Sequence, residues 1–177
     1  MDAQHLHFIN TEKAEADIMG LDDSAVEYLY QFGSMMLGDA GQWTSHLDSK
    51  LTAIFGWSSG VLAFLVVGTK AQGTPLAVGA MIVAVALTLA AVILAALGLK
   101  TDEWPSPSEE DWFREGILEH PGHLRRYHVI SMLETHQYHL RKNGSKARLL
   151  RRAERVLIAG AVVVAAILIW RAFSANP

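Results

Sequence analysis

The sequence of 177 residues contains no cysteine, and this absence removes several classes of function. Without a thiol there is no disulfide, no thiolate metal site and no cysteine nucleophile. Prolines are few, and Pro105 and Pro107 lie together in one short linker. The sequence also lacks a glycine-rich phosphate loop, a nucleophile elbow and an H-E-x-x-H motif. We therefore expect no catalytic residues, no metal site and no cofactor.

Charge is absent from three long stretches of the chain. Residues 75–99 run for 25 positions without a charged side chain and without a polar stripe, whereas about 20 helical residues cross a bilayer core. Residues 51–69 form a second uncharged stretch. A third follows Arg155 and reaches Arg171, and both arginines can extend their charged ends to the membrane surface. These stretches predict three transmembrane helices.

The rest of the chain carries helical signals, and the β-branched runs fall inside the apolar stretches. The predicted fold is therefore an all-α membrane protein with three transmembrane helices and a helical cytoplasmic layer. The predicted divisions are an acidic N-terminal segment with an amphipathic helix (1–50), the first span (51–69), the second span (75–99), a cytoplasmic helical segment with a basic end (100–155) and the third span (156–173).

Helix boundaries are predicted from capping and breaking residues. A capping-box pattern at Ser24 predicts the start of a helix that runs into the first span and is broken or bent near Gly38–Gly41. The acids after Ser108 predict a short helix. A longer helix is predicted from His123, with a pause at Asn143-Gly144 before the third span.

The charges are distributed unevenly along the chain. Residues 1–50 contain nine acids and only two bases, whereas residues 141–155 contain seven bases. A basic cluster directly before a span is typical of the cytoplasmic side. We therefore expect the N-terminus in the cytoplasm and the C-terminus on the opposite side of the membrane.

The basic cluster has two interpretations. It can determine topology and contact lipid headgroups, or it can bind the phosphate of a ligand on the cytoplasmic side. The candidate ligand-binding residues are Asp48, Lys50, Arg125, Arg126, Arg141, Lys142, Lys146, Arg148, Arg151 and Arg152.

Small residues in the first predicted span form a candidate helix-packing face. Gly56 and Gly60 are separated by four positions, and Ser58 and Ser59 lie between them. Such faces let transmembrane helices approach closely. They predict either packing among the spans of one chain or an oligomer in which the two serines line a central path.

One segment resembles a known family. The residues from Trp43 to Gly56 read Trp-Thr-Ser-His-Leu-Asp-Ser-Lys-Leu-Thr-Ala-Ile-Phe-Gly. An aromatic residue is followed by an Asp-x-Lys motif and then by small and apolar residues that enter the first span. This order resembles the Pycsar transmembrane effector family. The helix from Tyr127 to Asn143, with Lys146 before the last span, resembles the second half of that family. The resemblance covers residues 28–172. The two-span SLATT effectors are a neighbouring match, but the third span argues against them.

The resemblance implies an antiphage effector of the bacterial inner membrane that permeabilises or depolarises it. The implied partners are the lipid bilayer, further copies of the chain in a homo-oligomer such as a tetramer, and a nucleotide or oligonucleotide signal. A neighbouring nucleotide cyclase or nucleotidyltransferase would make that signal. The alternative is a non-channel scaffold that presents cytoplasmic helices to a soluble partner.

Overall fold

The computed structural model describes residues 11–68, 75–100 and 121–174, and within these ranges the chain is helical without strands. The helices are α1 (Thr11–Met19), α2 (Asp23–Gly68), α3 (Pro75–Leu99) and α4 (Pro121–Ser174). The predicted all-α class is confirmed. The short helix predicted after Ser108 lies outside the described residues.

A carboxylate, rather than the predicted capping box, caps the N-terminus of α2. The side chain of Asp22 accepts hydrogen bonds from the backbone N–H of Ala25 at 2.8 Å and the hydroxyl of Ser24 at 2.7 Å. These bonds, the Ala25 bond foremost, stabilise the ionised form and lower the pKa of Asp22. The prediction of Ser24 as the cap is wrong, because Asp22 already satisfies the free N–H group.

The two longest helices are continuous, which contradicts a break near Gly38–Gly41 and a pause at Asn143-Gly144 and leaves the bend of α2 a prediction. Helix α2 has 46 residues and includes Gly38–Gly41, while α4 has 54 residues and includes Asn143-Gly144. A glycine inside a helix costs only about 1 kcal/mol relative to alanine. Neighbouring side chains offset this cost, because Ala40 is 4% exposed and Asn143 is fully buried.

The described chain forms two compact units. Within the described residues, the first comprises 11–45 and 121–144, and the second 46–68, 75–100 and 145–174. In the first unit Ile18, Val26 and Val129 form the core. Burial of Ile18 stabilises the packing of α1 against this core.

The core of the second unit joins α2, α3 and α4. Leu51, Ala95 and Leu150 are buried together with Leu47. Gly98 allows the closest approach, because a Cβ atom there would lie 2.8 Å from a methyl carbon of Leu51. The glycines that bring these helices together thus differ from the predicted Gly56 and Gly60.

Among the described residues, two helices are long and apolar enough to cross a membrane. By length and composition they are Ala77–Leu99 and Leu124–Trp170. The apolar stretch of Ala77–Leu99 is only 22% buried, and that of Leu124–Trp170 is only 17% buried. A core helix of a soluble protein would be mostly buried. Residues 51–68 of the predicted first span are helical. That this helix crosses the membrane remains a prediction.

We predict that Gly98→Leu destabilises the second unit, because the added side chain would overlap that of Leu51, which is fully buried. Overpacking of this kind costs about 1–3 kcal/mol. Thermal and denaturant unfolding in detergent would measure the loss. Gly79→Leu on the same helix is the control, because no atom lies within 4 Å of its added Cβ. Equal stability of the two variants would contradict the close approach.

Candidate functional site

An ion pair joins α2 to α4 in the second unit. The ammonium of Lys146 donates a hydrogen bond to the carboxylate of Asp48 at 2.5 Å. The Lys146 side chain is 10% exposed and that of Asp48 is 39% exposed. Without the pair, the ammonium of Lys146 would be poorly solvated, whereas the carboxylate of Asp48 would still contact water. The structure thus brings together two residues of the predicted ligand set that are 98 positions apart.

The other predicted binding residues of the second unit are exposed. Arg148 donates a hydrogen bond to the hydroxyl of Ser145 at 3.0 Å. Lys50, Arg151 and Arg152 form no ion pair with the described part of the chain. Their charged groups are available to a soluble anion or to a lipid headgroup.

In the first unit, acids already bind two of the predicted arginines. Arg125 forms an ion pair with Glu27 and lies 5.4 Å from the centre of the Tyr30 ring. Arg126 donates hydrogen bonds to the carboxylate of Asp23 and the backbone carbonyl of Leu21, each at 2.8 Å. These contacts hold the start of α4 against the start of α2, so both arginines have a structural role.

The remaining two predicted bases lie near the end of the first unit. Arg141 is exposed, and Lys142 is half-buried. The ammonium of Lys142 lies 3.4 Å from the hydroxyl of Tyr138 and 5.5 Å from the centre of its ring. The ammonium of Lys142 is thus held at the ring of Tyr138, which lies one turn earlier on α4.

A buried polar seam, which sequence reasoning missed, connects α2 to α4 in the first unit. The hydroxyl of Thr44 lies 2.9 Å from the carbonyl of Ala40 and 3.0 Å from the amide oxygen of Asn143. The amide nitrogen of Asn143 donates to the same carbonyl at 3.2 Å. The one available signal was the asparagine itself, because a buried helical asparagine needs partners.

Histidines lie beside this seam. Nδ1 of His139 is 3.5 Å from the hydroxyl of Thr44, and His139 is 5% exposed. Burial lowers the pKa of His139, and the nearby His136 and Lys142 lower it further. Nδ1 of His136 is buried without a hydrogen-bond partner among the described residues. The seam therefore favours a neutral imidazole at position 139.

The predicted small-residue face separates into an open side and a buried side. No atom lies within 4 Å of a Cβ placed on Gly56 or Gly60, and both line an open groove with Trp57 and other residues of α2. Ser58 is fully buried, and its hydroxyl has no hydrogen-bond partner in the described chain. Ser59 is half-buried. The two glycines are thus left unused by the packing within the second unit.

Comparison with known proteins identifies one family. A family model described as the Pycsar effector protein domain matches residues 34–129, which is just over half of the chain. No curated protein and no solved structure gave a significant match. The match includes Asp48, Lys50 and the whole of α3.

We predict that Asp48→Asn destabilises the second unit by about 1–3 kcal/mol, because it leaves the buried ammonium of Lys146 without its anion. Unfolding of Asp48→Asn, Lys146→Met and the double variant would measure the coupling energy between them. Lys50→Met is the control, since this exposed lysine has no ion pair with a described residue. Strictly additive effects in the double variant would contradict the pairing.

We predict that the polar seam opens more easily as the pH falls. The folded pKa of His139 is depressed, so below about pH 6.5 the unfolded state binds the proton first. The stabilisation is therefore complete above that pH and decreases below it. Hydrogen exchange of the amides near Thr44 and Asn143 would measure opening between pH 7.5 and 5.5. His139→Gln should reduce this pH dependence, whereas His46→Gln, at an exposed position of α2, should retain it; an unchanged slope in His139→Gln would contradict the assignment.

Proposed function

Because the chain belongs to the Pycsar effector family, whose members are membrane effectors of antiphage defence, we propose that it permeabilises or depolarises the bacterial inner membrane. The proposed trigger is a nucleotide signal, and the proposed active form is a homo-oligomer. Pycsar effectors are regulated by cyclic nucleotides that a cyclase makes. The open glycine face of α2 is the observation that supports the oligomer most directly.

Three membrane spans form the proposed arrangement. Helix α3 and the apolar part of α4 have the length and composition of spans. The apolar half of α2 supports a third, because Trp57 is 74% exposed and Phe64 is 71% exposed. Side chains of this size need an apolar environment, which lipid would provide. The basic residues before the last span support a cytoplasmic N-terminus and a periplasmic C-terminus.

A pore would require several copies of this chain. Three helices enclose no aqueous channel on their own, so ion flux would need an oligomer such as a tetramer. Gly56 and Gly60 support α2 as the contact between copies, because their exposed backbone lets a neighbouring helix come close. The burial of Ser58 argues against a pore-lining role for that residue.

The nucleotide would act on the cytoplasmic side through its phosphate. Arg148 and Arg151 are exposed on α4 within ten residues of its apolar stretch, and guanidinium groups bind phosphate through paired hydrogen bonds. The Asp48–Lys146 pair joins this part of α4 to α2. A ligand would shift the arrangement of the spans only if it bound one state more tightly than the other.

A second candidate function is a membrane scaffold that presents its cytoplasmic helices to a soluble partner. Tyr28, Phe32 and Met35 support it, because they form a row on α2 and are 68%, 43% and 57% exposed. Measuring membrane potential in cells that express the chain with a nucleotide cyclase would separate the candidates. An effector should depolarise these cells when the cyclase is active, and a scaffold should leave them polarised.

We predict that Gly56→Leu with Gly60→Leu disrupts the oligomer, because the added side chains fill the groove and separate the helices. Native mass spectrometry from mild detergent would report the number of copies. Gly79→Leu is the control, since Gly79 is equally open but lies on α3. An unchanged copy number in the double variant would reject this contact, and a monomeric native protein would reject the pore.

We predict that Arg148→Glu with Arg151→Glu weakens the response to the nucleotide, because two guanidinium groups would be replaced by repelling carboxylates. Expression and copy number should stay unchanged, since Arg152 and Arg155 remain to set the topology. Binding of a cyclic mononucleotide by calorimetry at two salt concentrations would measure the effect. Lys13→Glu, on exposed α1 surface, is the control. Wild-type affinity in the double variant would exclude these arginines from the site.

A further inference from the structure

Each of the three apolar stretches adjoins a basic residue, and the first and third also do so at their other ends, at Lys70 and Arg171. Lys50 directly precedes the stretch in α2, Lys100 directly follows the one in α3, and Arg155 directly precedes the one in α4. Lys100 was not among the binding residues predicted from sequence. The pattern follows no local rule of helix formation, since α2 and α4 continue through these positions without interruption.

The second unit brings these three positions to the same end. Leu51 is the neighbour of Lys50 and belongs to the buried cluster that also contains Leu150, and Leu99, the neighbour of Lys100, packs against that cluster. Arg152 lies three positions before Arg155, which places both on one face of α4. We call Lys50, Lys100, Arg152 and Arg155 the basic collar.

The charged groups of the collar are available to an external anion. All four residues are exposed and form no ion pair with any described residue. Two acids lie in the same part of the described second unit, and Lys146 already binds one of them, Asp48. The other, Glu154, is half-buried and has no ion pair there either. Among the described residues of the second unit, the collar thus has an excess of positive charge without a counterion.

We propose that the basic collar binds the phosphate of anionic phospholipids. This inference rests on the membrane setting of the proposed function. Lysine and arginine near an anionic membrane surface each contribute about 1 kcal/mol to binding. A free nucleotide offers the same phosphate chemistry, so the chemical surroundings of the collar decide between the two ligands.

Those surroundings favour a lipid. Leu97, one turn before Lys100, is 55% exposed, and Ile158, one turn after Arg155, is 63% exposed. A phospholipid would contact both the basic and the apolar surface, because its phosphate binds the cations while its acyl chains cover Leu97 and Ile158. A free nucleotide would instead place its sugar and polar base edges against apolar side chains, which costs free energy.

Native mass spectrometry of the full chain in detergent tests the proposal with four probes: phosphatidylglycerol, phosphatidylcholine, a cyclic mononucleotide and inorganic phosphate. We expect phosphatidylglycerol to bind more tightly than phosphatidylcholine. Lys100→Gln with Arg155→Gln should weaken its binding about 25-fold, at roughly fivefold per base. Glu154→Gln should strengthen it by removing a repelling charge. Circular dichroism would verify that each variant keeps the native helix content.

The control variant, Lys13→Gln, removes an exposed base from the first unit and should bind phosphatidylglycerol as the native chain does. Equal binding of the two lipids, or native affinity in the collar variant, would overturn the proposal. Mononucleotide or phosphate binding that disappears in the same variant would assign the collar to a soluble ligand and also overturn it. A protein that binds the lipid but gives no ion flux would reject the effector activity and leave the lipid site intact.

Discussion

A helix with no polar face needs an apolar environment on nearly every side, and α3 places this requirement on the second unit. Its 25 residues contain no charge, and the hydroxyl of Thr88 bonds to the carbonyl of Ala84 in its own helix at 2.8 Å. Contacts from α2 and α4 cover only a narrow strip, at small residues such as Ala91 and Ala95. The remaining apolar surface is suited to a membrane, as expected of a membrane effector.

The sequence predicts those parts of the fold that depend on local composition. The extent of α3 follows from composition, because its uncharged stretch and the helix have the same bounds. The continuity of α2 through Gly38 and of α4 through Asn143 does not, since burial of Ala40 and Asn143 by distant residues outweighs the local preference. Tertiary contacts of this kind leave no local signal.

The same distinction applies to the candidate site. The sequence predicted that bases gather before the last span, and the structure finds several of them exposed there. It did not predict that Lys146 pairs with Asp48, because this contact depends on how α2 packs against α4. Nor did the sequence distinguish Gly98, where an added Cβ would contact Leu51, from Gly56, where an added Cβ would contact no described neighbour within 4 Å. Glycine spacing indicates where helices can approach but does not identify the partner helix.

Ion flux through membranes of known composition tests the effector activity most directly. The purified full chain would be reconstituted into liposomes that contain phosphatidylglycerol and carry a potassium diffusion potential reported by a voltage-sensitive dye. A cyclic mononucleotide supplied to the face that carries the N-terminus should dissipate the potential, and liposomes without protein should retain it. A folded, inserted protein that leaves the potential unchanged with each of the cyclic mononucleotides would contradict the account.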